Sequence, residues 1–199
     1  MSKPLLIGIT GGIGGGKSTL STKLRAEGYE VYDSDKEARR LQNQHPVIRK
    51  RLVALFGESI YTLEGLNRGA LAKLVFGQKD LLAQLNAIVH PIVKEDFEHW
   101  IHLHSAQKLL FMESAILFES GFNLLVDKVI VMTASEEVRI RRVVKRDGIT
   151  EEEVKARMSH QSSDELKMAK ADFVIHSDDC QPLIDKMMKI LAELTADSL

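Results

Sequence analysis

The feature that most limits what this chain can become is Gly11-Gly12-Ile13-Gly14-Gly15-Gly16-Lys17-Ser18-Thr19. It fits G-x-x-x-x-G-K-[ST], the pattern of a phosphate-binding loop. Pro4-Leu5-Leu6-Ile7-Gly8-Ile9-Thr10 precedes it and reads as a buried strand over about residues 4–10. Leu20 and Leu24 follow at helical spacing, and Gly28 offers a stop. The residue types follow from the chemistry. A polyphosphate must lie against bare backbone so that several N–H groups reach its oxygens, and glycine allows that approach. The helix behind the loop turns its positive end toward the same anion. Gly12 to Gly16, with Ile13, form the cradle, and Thr19 closes it. Lys17 is placed to reach the β and γ phosphates, and the Ser18 hydroxyl to ligate Mg²⁺, a hard cation that prefers oxygen. The alternative is a glycine-rich turn with an incidental lysine. The loop does not by itself separate a kinase from a switch or a motor.

With 199 residues the chain can bury one sizeable core. Its net charge is −1, whereas a nucleic-acid-binding domain is more often basic. No apolar run is long enough to span a membrane, and Pro4 to Ile9 is too short for a signal peptide. The single cysteine, Cys180, rules out an internal disulfide framework and suits a reducing compartment. A cytoplasmic protein with small-molecule substrates, and with neither nucleic acid nor membrane as a partner, is the expectation. The sequence leaves monomer or homo-oligomer open.

Tyr29-Glu30-Val31-Tyr32 reads as a second strand ending at Asp33-Ser34-Asp35. In open α/β sheets the reactive crevice lies beyond the C-terminal strand ends, so these carboxylates are well placed to meet a substrate. Either could instead cap the helix that follows. Asp35 is read as the cap and Asp33 as the reacting group. Residues 36–105 read as mostly helical, with a long apolar series from Leu81 to Ile101 interrupted by His90-Pro91. Proline inside a helix removes a hydrogen bond and kinks it, and a kink can turn His90 toward a cleft. His99, His102 and His104 lack the companions of a metal site and read as a solvated face.

Leu109 to Met112 is a strand ending at Glu113, which resembles a Walker B acid or is simply a polar strand end. Ser114 to Gly121 is an apolar loop or short helix carrying Leu117 and Glu119. Lys128 to Met132 is the next strand, and Ser135 a good N-cap for the helix after it. Arg139, Arg142 and Arg146 share a face of that helix, which ends at Gly148. Such a face can brace a transferring phosphoryl group, or it can be merely solvated. Thr150 to Glu153 is a capping box for a helix reaching about Gln161. Ala171 to Ile175 reads as a last strand, and Gln181 to Leu194 as a last amphipathic helix. The guanine signature [NT]-K-x-D is absent, which argues against a GTPase switch.

Taken together, these segments resemble the dephospho-CoA kinase family over nearly the whole chain. The resemblance is carried by the loop, by Val31-Tyr32-Asp33-Ser34-Asp35, by Leu85-Asn86-Ala87-Ile88-Val89-His90-Pro91 and by Leu117-Phe118-Glu119. Arg142, Lys145-Arg146-Asp147-Gly148, Arg157, Gln161 and Ala171-Asp172 continue it. Glu113-Ser114-Ala115 replaces the family's usual apolar pair and proline, and Ser177 stands where asparagine is common. The resemblance implies an α/β fold: a P-loop NTPase-type parallel sheet core over about 1–35, 106–138 and 171–199. It implies a helical acceptor-binding insertion over about 36–105 and a helical lid over about 139–170. ATP would be the donor, Mg²⁺ its companion, and the ribose 3′-hydroxyl of dephospho-CoA the acceptor. Asp33 would orient or deprotonate that hydroxyl, and Lys17, Arg142 and Arg146 would stabilise the moving phosphoryl. Asp35, His90, Leu117, Glu119, Arg157 and Gln161 would shape the acceptor site. Rival readings are a nucleoside or nucleotide kinase with the same core, and a regulatory ATP-binding module without turnover.

Overall fold

The structure, a computed structural model, describes residues 3–159, 161–178 and 181–196, with the side chains of 195 and 196 left aside. Cys180 lies outside the described residues. Five strands form one parallel sheet: β1 (Leu5–Thr10), β2 (Glu30–Asp33), β5 (Leu109–Glu113), β6 (Lys128–Thr133) and β7 (Phe173–His176). Their order is β2-β5-β1-β6-β7. β1 is central, with Ile9 beside Glu113 on one flank and Thr10 beside Val131 on the other. The chain moves to one side of β1 for β2 and β5 and to the other for β6 and β7. The loop that leaves β1 therefore stands where the strand order reverses, the usual place for a ligand in such sheets.

The near-continuous apolar runs of these strands follow from burial on both faces. On one face Ile7, Ile9, Phe111, Ile130, Met132 and Ile175 pack with Leu20 and Leu24 of α1 (Lys17–Ala26). Met187, Ile190, Leu191 and Leu194 of α9 (Leu183–Ala196) complete that layer. Each such side chain, fully buried, contributes about 1.5–3 kcal/mol. Clamped by this layer, the start of α1 is a fixed platform.

Two compact units are present: residues 1–32 with 104–199, and residues 33–103. The second holds α2 (Ser34–Gln44), α3 (Pro46–Phe56), the two-residue strands β3 (Tyr61–Thr62) and β4 (Gly65–Leu66), α4 (Arg68–Val75) and α5 (Lys79–Leu103). The small hairpin was not expected, because two residues per strand are too few to show alternation. α5 continues through Pro91 as one helix of 25 residues. Leu85, Val89, Ile92, Val93 and Phe97 along it are buried. Packing of that stripe offsets the hydrogen bond that proline removes.

In the first unit, α6 (Glu136–Asp147), α7 (Glu151–Met158) and α8 (Asp164–Met168) lie between β6 and β7. Ser135 stands at the N-cap of α6 without a capping side-chain bond, whereas Thr150 forms the full capping box of α7. α7 stops at Met158 and not near Gln161, and the five-residue α8 was not anticipated. No helix among the described residues is long and apolar enough to cross a membrane.

Candidate active site

The loop from Gly11 to Gly16 joins the buried end of β1 to α1. Gly14 has φ +79°, and a Cβ there would fall 2.6 Å from the Arg139 carbonyl oxygen, so no other residue fits. Gly16 is the N-cap of α1 in left-handed conformation, and no side chain caps the helix. Its first-turn N–H groups are of the kind that hold anions. Lys17 is buried, and its ammonium donates to the carbonyls of Gly11 at 2.7 Å and Gly12 at 3.2 Å. The lysine is thus folded along its own loop.

Ser18 donates its hydroxyl proton to Glu113 Oε1 at 2.8 Å. Glu113 is 6% exposed, and its other oxygen, Oε2, is buried with no hydrogen-bond partner. An orphaned buried carboxylate oxygen is costly unless something positive meets it. Hard oxygen donors at the foot of a phosphate loop fit Mg²⁺, which takes one or two protein ligands and completes its shell with phosphate and water. Of the two readings of Glu113, the Walker B type is therefore the one its surroundings favour.

The arginines of α6 have different surroundings. Arg142 Nη1 donates to the Gly14 carbonyl at 3.3 Å and to Ser177 Oγ at 2.7 Å, and Nη2 donates to the Ser177 carbonyl at 2.7 Å. Ser177 thus anchors this guanidinium. Arg146 is exposed and donates to Asp147 through Nε at 2.6 Å and Nη2 at 3.1 Å. Arg157 is also exposed and reaches the same carboxylate at 3.0 Å. The Arg146 hydrogen bond, with Arg157 nearby, holds the Asp147 carboxyl below its usual range.

One expectation needs correction. Asp33, not Asp35, is the N-cap of α2: its Oδ1 accepts the Lys36 N–H at 2.9 Å. Asp35 sits in the first turn, where its charge suits the helix dipole. Leu117 is fully buried, and a Cβ on Gly8 of β1 would fall 2.9 Å from its Cδ2. It is a packing residue beneath the sheet. Gln161 accepts the Ile13 N–H through Oε1 at 2.9 Å and so faces the phosphate loop.

Glu119 accepts the Ser162 N–H at 3.1 Å and lies 3.5 Å from Lys167 Nζ. Burial pushes its carboxyl up, but hydrogen bonds and the Lys167 charge outweigh this and hold it low. His90 is half-buried, and burial lowers its imidazole below the ordinary 6.5. Sequence reasoning missed Lys167 and Asp164. Ser163 followed by two acids is a helix-start signal that could have revealed α8, which carries both. Among the described residues no cluster of three or more His, Cys, Asp and Glu is arranged to hold a metal.

A parallel sheet, a glycine loop running into α1, and a Ser–Glu pair at its foot define a P-loop nucleotide-binding fold. The fold is shared with shikimate kinase from Acinetobacter baumannii, at TM-score 0.55, 18% identity and coverage of 98% and 96% of the two chains. The family model for dephospho-CoA kinase matches residues 5–182. A dephospho-CoA kinase of Bacteroides fragilis is 42% identical over 188 residues, 94% of this chain and 92% of that one. The dephospho-CoA kinase structure from Campylobacter jejuni superposes with TM-score 0.68 at 26% identity, covering 98% of each chain. The chain belongs to the dephospho-CoA kinase family.

Proposed function

We propose that this chain performs the reaction of its family through Lys17, Asp33, Arg142 and Arg146. The reaction is ATP-dependent phosphorylation of the ribose 3′-hydroxyl of dephospho-CoA, giving coenzyme A and ADP, the last step of coenzyme A synthesis. One observation carries the reading: a phosphate loop with its Ser18–Glu113 pair, in a chain that matches this family from β1 to the start of α9.

Transfer forms a bond from the ribose oxygen to the γ phosphorus and breaks the bond to the β–γ bridging oxygen. The hydroxyl is a weak nucleophile, and Asp33 takes its proton as the new bond forms. Capping of α2 engages Oδ1 of Asp33, so Oδ2 is the oxygen assigned to that proton. Lys17 exchanges the Gly11 and Gly12 carbonyls for phosphate oxygens when ATP enters. Arg142, anchored on Gly14 and Ser177, meets the phosphoryl group with its remaining N–H groups. Arg146 must first leave Asp147 to join it, as part of a lid over about residues 139–170 that excludes water. Ser18 and Glu113 would hold Mg²⁺, which when bound neutralises charge on the phosphates. Asp35 and His90, within residues 33–103, are assigned to acceptor binding, and so are Glu119 and Arg157. ATP as donor and a lone cysteine both suit the cytoplasm.

The test is ADP formation across a panel of acceptors. Dephospho-CoA should be turned over rapidly, and AMP, CMP and nucleosides only slightly. A reversed preference would refute the acceptor while leaving the loop's role intact.

A further inference from the structure

Ile13, the one non-glycine residue between Gly11 and Lys17, is gripped on every side by the segment that follows β6. Its N–H goes to Gln161 Oε1 at 2.9 Å, and its carbonyl accepts from Arg139 Nε at 3.0 Å. Its side chain packs against Ile140, Val143 and Val154, the small core shared by α6 and α7. Both peptide planes that flank Ile13 are therefore fixed, and with them the direction in which the next loop N–H groups point.

The arginine that does this is 7% exposed and is itself held. Arg139 Nη1 pairs with Asp164 Oδ2, which also accepts the Thr133 hydroxyl at 3.0 Å. Gly12 lies so close that a Cβ on it would strike the guanidinium and come within 2.9 Å of Asp164 Oδ1. A cavity of about 330 Å³, lined by Thr133, Arg139, Gln161 and Asp164 among others, opens beside the brace. Burying an ion pair is a poor route to stability, since apolar packing of the same volume does as well or better. What the pair supplies is direction: a fixed fork that puts Nε on a single carbonyl.

We propose that Arg139 and Gln161 are positioning residues for ATP, acting through Ile13 on the shape of the phosphate loop, with Asp164 orienting Arg139. Neither is assigned a contact with nucleotide. The inference rests on the reading that the loop binds ATP, and it moves Gln161 from the acceptor side, where the family resemblance puts it, to the donor side. It also ties the lid to the loop, because displacement of α6 or α7 pulls on Ile13.

The experiment is direct titration of the full chain with ATP in the absence of acceptor, alongside steady-state KM values for both substrates. Gln161→Leu removes the accepting oxygen and should weaken ATP binding about tenfold, the scale of one buried donor left without a partner. Its KM for dephospho-CoA at saturating ATP should stay within about twofold of the parent. Gln161→Glu keeps an accepting oxygen and should recover most of the loss, which a merely structural role would not predict. Asp164→Asn preserves shape while loosening Arg139, and should weaken ATP about threefold, a test that stands if Gln161→Leu fails to fold. Unchanged ATP affinity in the folded variants, or a raised KM for dephospho-CoA alone, would overturn the proposal. If the parent chain ignored dephospho-CoA while Gln161→Leu still lost ATP affinity, the acceptor assignment would fall and this one would stand.

Discussion

Arg142 and Arg146 stand one turn apart on the same face of α6, yet they are engaged very differently. Arg142 is half-buried, and three hydrogen bonds to Gly14 and Ser177 join it to the phosphate loop and to the end of β7. Arg146 is exposed and shares Asp147 with Arg157. Helical spacing says that two side chains share a face, but not what each meets there. The inner arginine is already joined to the phosphate loop, whereas the outer one, in the reaction proposed above, has to give up a carboxylate to reach the phosphates. The first is preorganised and the second is available only on movement, so their removal should affect binding and turnover in different proportions.

The largest effect expected lies inside that donor site. Lys17→Ala should cut ADP formation by roughly 10³-fold and weaken ATP binding, since it removes a charged donor from developing phosphoryl charge. Parental ATP affinity in this variant would break the loop assignment on which the comparison stands. Asp33→Asn should lower turnover by about 10²-fold or more while ATP affinity holds. Asparagine caps a helix about as well as aspartate, so the thermal midpoint should barely move and lost turnover cannot be blamed on α2. Parental turnover would mean that the proton goes elsewhere.

The arginines themselves come next. Arg142→Ala should weaken ATP binding about 10- to 100-fold, the scale of hydrogen bonds from a charged group. Arg146→Ala should leave ATP affinity near the parent value and lower kcat about tenfold. Its stability should be little changed, because an exposed pair gains little over the hydration it gives up. Equal losses of ATP affinity in both variants would erase the distinction drawn between them.

The smallest effect concerns His90. Burial holds its imidazole below 6.5, so the unfolded chain binds the proton more readily than the folded one. Stability linked to this group is present above pH 6.5 and declines as pH falls through the lowered folded value. His90→Gln should therefore flatten the fall in thermal midpoint between about pH 7 and 5. An unchanged slope would show that other groups set it.

Much of the sheet unit was readable in advance, and for a physical reason. Strands buried on both faces must be apolar throughout, so Leu5–Thr10, Leu109–Glu113 and Lys128–Thr133 stand out against charged helices. The last strand begins at Phe173 and not Ala171, because Asp172 is occupied with the Val129 N–H and with Lys128. The cradle was legible because only glycine tolerates the contact at Gly14. The helical unit was less so, since two-residue strands leave no pattern to read. Asp33 and Asp35 carry equal capping chemistry two residues apart, and only the backbone at Asp33 decides between them. Least legible was the brace on Ile13. The hydrogen bonds that join Ile13 to Gln161 and Arg139, and Arg139 to Asp164, span 25 to 148 residues, and nothing in local propensity announces such a meeting.

Transfer itself can be followed most directly with ATP labelled in its γ phosphate. Incubated with dephospho-CoA and the chain, the label should appear at the ribose 3′ position of the product, as read by phosphorus NMR, with one ADP released per phosphate moved. Label found only in inorganic phosphate, or on any other position of the acceptor, would contradict the account.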